Sequence, residues 1–154
     1  MSPLTHSLDL ADHARRAINY LITNPSEQSN FIPYFGGKIP LKGPPRLERT
    51  GWDSGDGTGR FIEALIYMRR MTGDNSGLDV DRHLIRNLLS YFKDDGLSYR
   101  TATTWNEVEA DIWAQRSCLL ALSLLYQESG DKQLLAQLKK MTEALRKIAI
   151  WGND

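Results

Sequence analysis

Cysteine and histidine are scarce in this sequence, and their scarcity excludes several kinds of chemistry. Cys118 is the one cysteine among 154 residues, so no disulfide can form within the chain, which fits a reducing compartment. It lies in the apolar run 117–125, which favours a buried thiol over a reactive one. The three histidines, His6, His13 and His83, have no ligand spacing to one another or to the cysteine. We therefore expect no metal site, no histidine-based catalytic triad and no cofactor.

Net charge and long hydrophobic runs are missing as well. The 19 basic and 19 acidic side chains cancel, which leaves no electrostatic case for binding nucleic acid or an anionic membrane. No apolar stretch approaches the roughly 20 residues that cross a bilayer. The stretch 1–10 has neither a basic start nor an apolar run, so we expect no signal peptide. We predict a soluble, cytoplasmic protein whose residues 1–154 form a single helical domain.

Two of the predicted helices are apolar over much of their circumference. The second helix runs from about Thr58 to Thr72, and Gly73 supplies a left-handed cap at its end. The fourth helix begins at the pattern Thr-Trp-Asn-Glu, residues 104–107, which fits a capping box. It continues to about Glu128. Helices of this kind are buried on every side, so we predict that both are inner helices.

The other three predicted helices are amphipathic. Asp9 is suited to cap the first helix, which ends before Pro25 because the residue preceding a proline is pushed out of the α region. Asp79 or Asp81 is suited to cap the third helix, and Asp131 opens the fifth. A single apolar face on each favours an outer position.

The connections between these helices alternate in length. Short turns at 72–74 and 129–131, both ending in Gly-Asp, join an inner helix to the next outer one. Long connections, 24–57 and 93–104, run from an outer helix to an inner one. Antiparallel neighbours then place both long connections at the same end of the molecule. A helical hairpin that repeats after about 50 residues is typical of a solenoid or a toroid.

Aromatic, acidic and basic residues cluster where the long connections enter the inner helices. The cluster before the second helix contains Trp52, Asp53, Asp56 and Arg60. The cluster before the fourth helix contains Tyr99, Arg100, Trp105, Glu107, Glu109 and Asp111. The final residues, 151–154, look like the start of a third cluster.

The whole pattern resembles the N-terminal portion of an (α/α) toroid of the six-hairpin glycosidase-like class. The resemblance lies in the order of apolar inner helix, Thr/Ser-Gly-Asp turn, amphipathic outer helix and acid-and-aromatic connection, and it covers the whole chain. It implies an all-α fold of tandem helical hairpins, with the substrate at the end that carries the long connections. A closed toroid of this class has many more helices than the predicted set. We therefore expect either part of a longer protein or a shortened or self-assembling relative.

The resemblance implies a carbohydrate-active protein similar to a glycoside hydrolase. Glycoside hydrolysis needs two carboxyl groups that flank the scissile bond. The candidate catalytic acids are Asp53, Asp56, Glu109 and Asp111. The candidate saccharide-binding residues are Trp52, Arg60, Tyr99, Arg100 and Trp105.

Ordinary structural roles compete with this interpretation. Asp56 or Thr58 is suited to cap the second helix, Asp53 suits a turn, and Trp113 suits core packing. Glu109 and Asp111 suit a helix N-terminus, and the arginines suit plain salt bridges.

Two functional alternatives stay open. One is a non-catalytic helical-repeat module that binds a partner through its inner helices. The other is a toroid with different chemistry. A polysaccharide lyase would need a tyrosine or histidine base near an arginine, which Tyr99 and Arg100 keep open. A terpenoid cyclase would need more apolar residues than these where the long connections enter the inner helices.

Overall fold

Helices account for most of the residues that the structure describes, which are 8–48, 52–100 and 109–150 of this computed structural model. The α-helices of this part of the chain are α1 (Leu10–Thr23), α2 (Thr58–Thr72), α3 (Leu78–Ser90), α4 (Ile112–Ser129) and α5 (Lys132–Ile148). A short antiparallel hairpin, β1 (Gly36–Lys38) and β2 (Arg46–Glu48), lies between α1 and α2. The predicted helical fold class is confirmed, with this small hairpin added to it.

The helix α1 begins and ends where the sequence predicts. The side chain of Asp9 accepts a hydrogen bond from the backbone N–H of Asp12 at 3.0 Å, which satisfies one free donor of the first turn. The helix ends at Thr23, shortly before Pro25. Its buried positions are Ala14, Ile18 and Leu21.

The helices α2 and α4 pack directly against each other and run parallel. Near the start of α2, a Cβ atom on Gly59 would lie 2.7 Å from the carbonyl oxygen of Ser117, so a side chain has no room there. Towards the far ends of the two helices, Arg70 pairs with Glu128. From the first contact to the second, the residue numbers rise along both helices, so α2 and α4 run parallel. With α1 and α3 against α2, and α5 against α4, the packing agrees with the predicted inner positions of α2 and α4.

One hydrophobic core joins all the helices. Its fully buried side chains include Ile18, Leu65, Leu84, Leu88, Leu122 and Met141. Cys118 lies in the same core, and burial raises the pKa of its thiol to about 12. The predicted buried thiol is therefore confirmed. None of the helices in the described part of the chain is both long and apolar enough to span a bilayer.

The predicted caps of α2 and α3 are wrong. Gly77, in the left-handed region at φ 69°, precedes α3, and Asp79 and Asp81 lie inside its first turn. Neither Asp56 nor Thr58 caps α2, because an irregular turn leads straight into that helix. Acidic residues are favoured in the first turn of a helix as well as at its cap, so the sequence signal does not separate the two positions.

The helix α4 begins later than predicted. Its first residue is Ile112, and the side chain of Asp111 caps it by accepting a hydrogen bond from the backbone N–H of Ala114 at 2.9 Å. The predicted capping box at 104–107 lies outside the described residues.

Candidate functional site

The two long connections meet at the end of the molecule where α2 and α4 begin. The guanidinium of Arg100, from the connection before α4, lies over the ring of Trp52, from the connection before α2, with 5.6 Å between its central carbon and the ring centroid. The prediction that both connections lie at the same end is confirmed by this contact.

An irregular turn, Asp53–Gly57, carries the first cluster into α2. The turn is buried, and its backbone is kinked at Ser54, where ψ is −111°. A Cβ atom on Gly55 would lie 2.8 Å from the Cβ of Ala114, so the turn lies tightly against the first turns of α4. Glycine is needed here because the turn and the helix approach so closely.

Asp53 fixes the preceding connection rather than lining an open cavity. Its side chain is buried, and Oδ1 accepts a hydrogen bond from the backbone N–H of Phe35 at 2.8 Å. The backbone oxygen of Asp53 accepts a second bond from the hydroxyl of Thr58 at 3.1 Å. These bonds hold the backbone of Phe35 beside the start of α2.

Asp56 joins the two inner helices. Its side chain is only 6% exposed, and Oδ1 accepts hydrogen bonds from the hydroxyl of Ser117 and from Nε of Arg60, the latter at 2.9 Å. Both bonds are made to Oδ1, and no described residue donates a hydrogen bond to Oδ2. One oxygen of this fixed carboxylate is thereby left for a ligand.

An open cavity of about 330 Å³ lies above Asp56. It is lined by Phe35, Trp52, Asp56, Arg60 and Trp113. The volume falls near the lower end of the range for small-molecule sites, and three aromatic side chains around a few polar groups are typical of such sites. The expectation that Trp113 packs in the core is wrong, since its side chain is 52% exposed.

Each aromatic wall of the cavity has an arginine over its ring. The guanidinium carbon lies 5.9 Å from the ring centroid for Arg60 and Phe35, and 5.8 Å for Arg116 and Trp113. Arg100 covers Trp52 in the same way. Cation–π contacts of this kind contribute about 0.5–1 kcal/mol each at exposed sites, so they help to hold the rings in position.

Two larger clefts in the described part of the structure have fewer types of functional side chain. A groove of about 460 Å³ runs along the β-hairpin and is lined by Gly37, Lys38, Ile39, Pro45, Arg46 and Leu47. A cleft of about 400 Å³ lies between the connection after α3 and α5, with Asp94, Asp95, Lys140, Glu143 and Lys147 among its lining residues. Neither is lined by an aromatic ring or by a buried carboxylate.

The second predicted cluster is only partly brought to the cavity. Arg100 pairs with the exposed side chain of Glu109, and its backbone N–H donates to the carbonyl oxygen of Glu109 at 3.0 Å. Asp111 is used as the cap of α4. The hydroxyl of Tyr99 donates to Asp95 at 2.6 Å, and this bond raises the pKa of Tyr99. Trp105 lies outside the described residues.

The sequence did not predict two residues that help to form the site. Phe35 lies in a long connection where no local pattern marks it, and its position depends on Asp53, 18 residues further along the chain. Ser117 stands in an apolar helix, where a lone hydroxyl gives little signal. The described residues contain no group of three or more His, Cys, Asp or Glu that could hold a metal ion.

In comparisons with known proteins, no family model, no curated protein and no solved structure matches the chain. The cavity is therefore the feature of the chain from which a function is inferred.

Proposed function

We propose that the chain binds a saccharide in the cavity formed by Phe35, Trp52, Asp56, Arg60 and Trp113, as a carbohydrate-active protein. The observation that carries the proposal is the combination of three aromatic faces with one immobilised carboxylate. Sugars present apolar C–H faces and a rim of hydroxyl groups, and this cavity offers a partner for each.

The aromatic rings supply the apolar contact. The half-exposed faces of Trp113 and Phe35 lie at the open side of the cavity, and the partly buried Trp52 completes its wall. Large aromatic surfaces stabilise a bound ligand at little cost in conformational entropy, because few side-chain torsions have to be ordered.

Asp56 supplies the orientation. Its Oδ1 is held by Ser117 and Arg60, so a hydroxyl group of the ligand would meet an oxygen atom, Oδ2, whose position is already fixed. A site built to bind hydroxyl groups rejects ligands that lack them, because its own polar group would be left without a partner.

Binding is better supported than cleavage. Hydrolysis needs a second carboxyl group across the scissile bond, and Asp56 is the one acid among the described lining residues. Asp53, Glu109 and Asp111 are engaged by Phe35, Arg100 and Ala114. Glycoside hydrolysis stays a prediction for an assembly that brings another carboxyl group to this cavity.

The lyase alternative receives less support. As the base of a lyase, Tyr99 would have to lose its proton easily, whereas the bond to Asp95 raises the pKa of Tyr99. The hydroxyl of Tyr99 is also used by that bond.

Tryptophan fluorescence tests the proposal, because Trp52 and Trp113 line the cavity. Neutral and acidic oligosaccharides are titrated into the wild type, Asp56→Asn and Trp113→Ala. Tyr67→Ala is the matched control, since Tyr67 is also an exposed ring under an arginine, with Arg70 at 5.7 Å, but lies outside the cavity. We expect the control to bind like the wild type, and Trp113→Ala to lose about tenfold or more in affinity, as for a lost stacking contact. A folded sample that binds no oligosaccharide, or binding unchanged in both cavity variants, would overturn the proposal.

A further inference from the structure

Two arginines beside the cavity have terminal nitrogens that no described residue binds. Arg60 uses Nε to bind Asp56, and its terminal nitrogens make no hydrogen bond or ion pair with a described residue. Arg116 contacts the ring of Trp113 and makes no hydrogen bond or ion pair with any residue in the described ranges. Both side chains are accessible to solvent.

The positions of these arginines follow from the contacts around Asp56. Arg60 lines the cavity directly. Arg116 precedes Ser117, whose hydroxyl binds the same carboxylate oxygen of Asp56 as Arg60 does. Arg116 also lies over Trp113, which forms another wall of the cavity. Each guanidinium group therefore contacts an aromatic side chain that lines the cavity.

The acids near this opening are already engaged. Asp53 accepts from the backbone of Phe35, Asp111 caps α4, and Glu109 pairs with Arg100. Arg60, Arg116 and Asp56 each keep at least one hydrogen-bonding atom that no described residue uses. A guanidinium stacked on a ring keeps its edge free, and that planar edge matches a carboxylate in a two-bond arrangement.

We infer that the saccharide bound here carries carboxylate groups, so that uronic acid residues are the preferred ligands. The inference rests on the proposed function, which supplies the sugar, and adds the charge of that sugar. Arg116 and the free nitrogens of Arg60 bind the carboxylate, while Asp56 binds a hydroxyl group of the same or a neighbouring sugar ring.

Matched pairs of oligosaccharides test the inference by calorimetry. Each pair has the same linkage and stereochemistry and differs only at C6, which is a hydroxymethyl group in one member and a carboxylate in the other. Suitable probes are β-1,4-mannotetraose with tetramannuronate, cellotetraose with the corresponding tetraglucuronate, and α-1,4-galactotetraose with tetragalacturonate. For at least one pair we expect the uronate to bind about tenfold more tightly, as for one added charged hydrogen bond. We also expect this preference to shrink as salt is raised, because the arginines are exposed.

The variant Arg116→Gln assigns the preference to a residue. Among the described residues Arg116 contacts the ring of Trp113 and does not bind Asp56, so its loss leaves the hydrogen bonds of Asp56 in place. Arg86→Gln is the matched control, because Arg86 is an exposed arginine on the outer helix α3. The variant should lose the uronate preference and keep its affinity for the neutral member, whereas the control should keep both.

The outcomes separate the inference from the proposed function. Equal binding of both members of every bound pair, or a uronate preference that survives in Arg116→Gln, overturns the inference and leaves saccharide binding intact. A protein that binds none of these six probes contradicts the inference and the proposed function together.

Discussion

The carboxylate of Asp56 accepts a hydrogen bond from the hydroxyl of Ser117, although the two residues are 61 positions apart in the sequence. The bond joins the turn before α2 to the second turn of α4 beneath the candidate cavity. Because both groups are buried, removing one partner leaves the other without full compensation.

We predict that Ser117→Ala destabilises the protein by about 1–3 kcal/mol, the usual cost of a buried polar group that loses its partner. The free energy of unfolding in urea measures the effect. Ser123→Ala is the control, since the hydroxyl of Ser123 bonds only to the carbonyl oxygen of Leu119 within its own helix. A loss no larger than that of the control would show that the bond to Asp56 contributes little.

Gly59→Ala should also destabilise the protein, by about 1–3 kcal/mol, because the new methyl group would overlap the backbone of α4. The added Cβ would lie 2.7 Å from the carbonyl oxygen of Ser117, and a backbone atom has little freedom to move away. Gly37→Ala provides the comparison, since its Cβ would meet Arg46 at an ordinary 3.7 Å. Equal midpoints of thermal unfolding for the two variants would contradict the close packing of α2 and α4.

The thiol of Cys118 should make the protein less stable in alkali. Burial raises its pKa from 9.0 to about 12, so above pH 9 the unfolded state loses this proton while the folded state keeps it. The contribution of the thiol to the free energy of unfolding is fully present below pH 9. It falls as the pH rises towards 12, because the unfolded state then binds fewer protons than the folded state.

Cys118→Ala isolates this contribution from those of the other alkaline groups. Between pH 8 and pH 10 we expect the wild type to lose about 1.4 kcal/mol more unfolding free energy than the variant. A difference between the two proteins that stays constant over this range would show that the thiol ionises normally in the folded state. Alkylation of the native wild type at pH 8 should be correspondingly slow.

The exposed sides of α2 and α4 should promote self-association. Arg60 and Trp113 line one cavity, and residues seven positions further along each helix return to the same side, which places Tyr67 and Leu120 there. Both are exposed apolar residues, and larger exposed apolar surfaces of this kind commonly mark association sites.

Sedimentation velocity at increasing protein concentration measures this association. Leu120→Lys should weaken it, whereas Leu89→Lys, at an exposed leucine on the outer helix α3, should not. A wild type that stays monomeric at all concentrations would contradict the prediction.

Local signals in the sequence were sufficient for much of the fold. The cap at Asp9, the glycine ends at Gly73 and Gly130, and the contrast between apolar and amphipathic helices all depend on residues a few positions apart. The same local signals predicted that Trp52, Asp56 and Arg60 lie around the start of α2. In the structure all three line one cavity.

Long-range contacts account for what the sequence did not predict. Asp56 is well suited to cap a helix, but a hydroxyl on α4 binds it instead. Asp81 is equally suited to cap α3, but it pairs with Arg69 on α2, and Gly77 takes the position before the helix. In each case the side chain has two good partners, and only the packing of distant helices decides between them.

Different segments of the chain supply the walls of the cavity, and this affects how the ligand selectivity of the cavity can evolve. Phe35 stands directly before the β-hairpin, in a connection whose residues are largely at the surface, whereas Arg60 and Trp113 stand on packed helices. Insertions or deletions within the hairpin would reshape one wall while leaving the hydrophobic core untouched. A single scaffold could then serve a series of different ligands, with new specificities reached through changes in one surface segment.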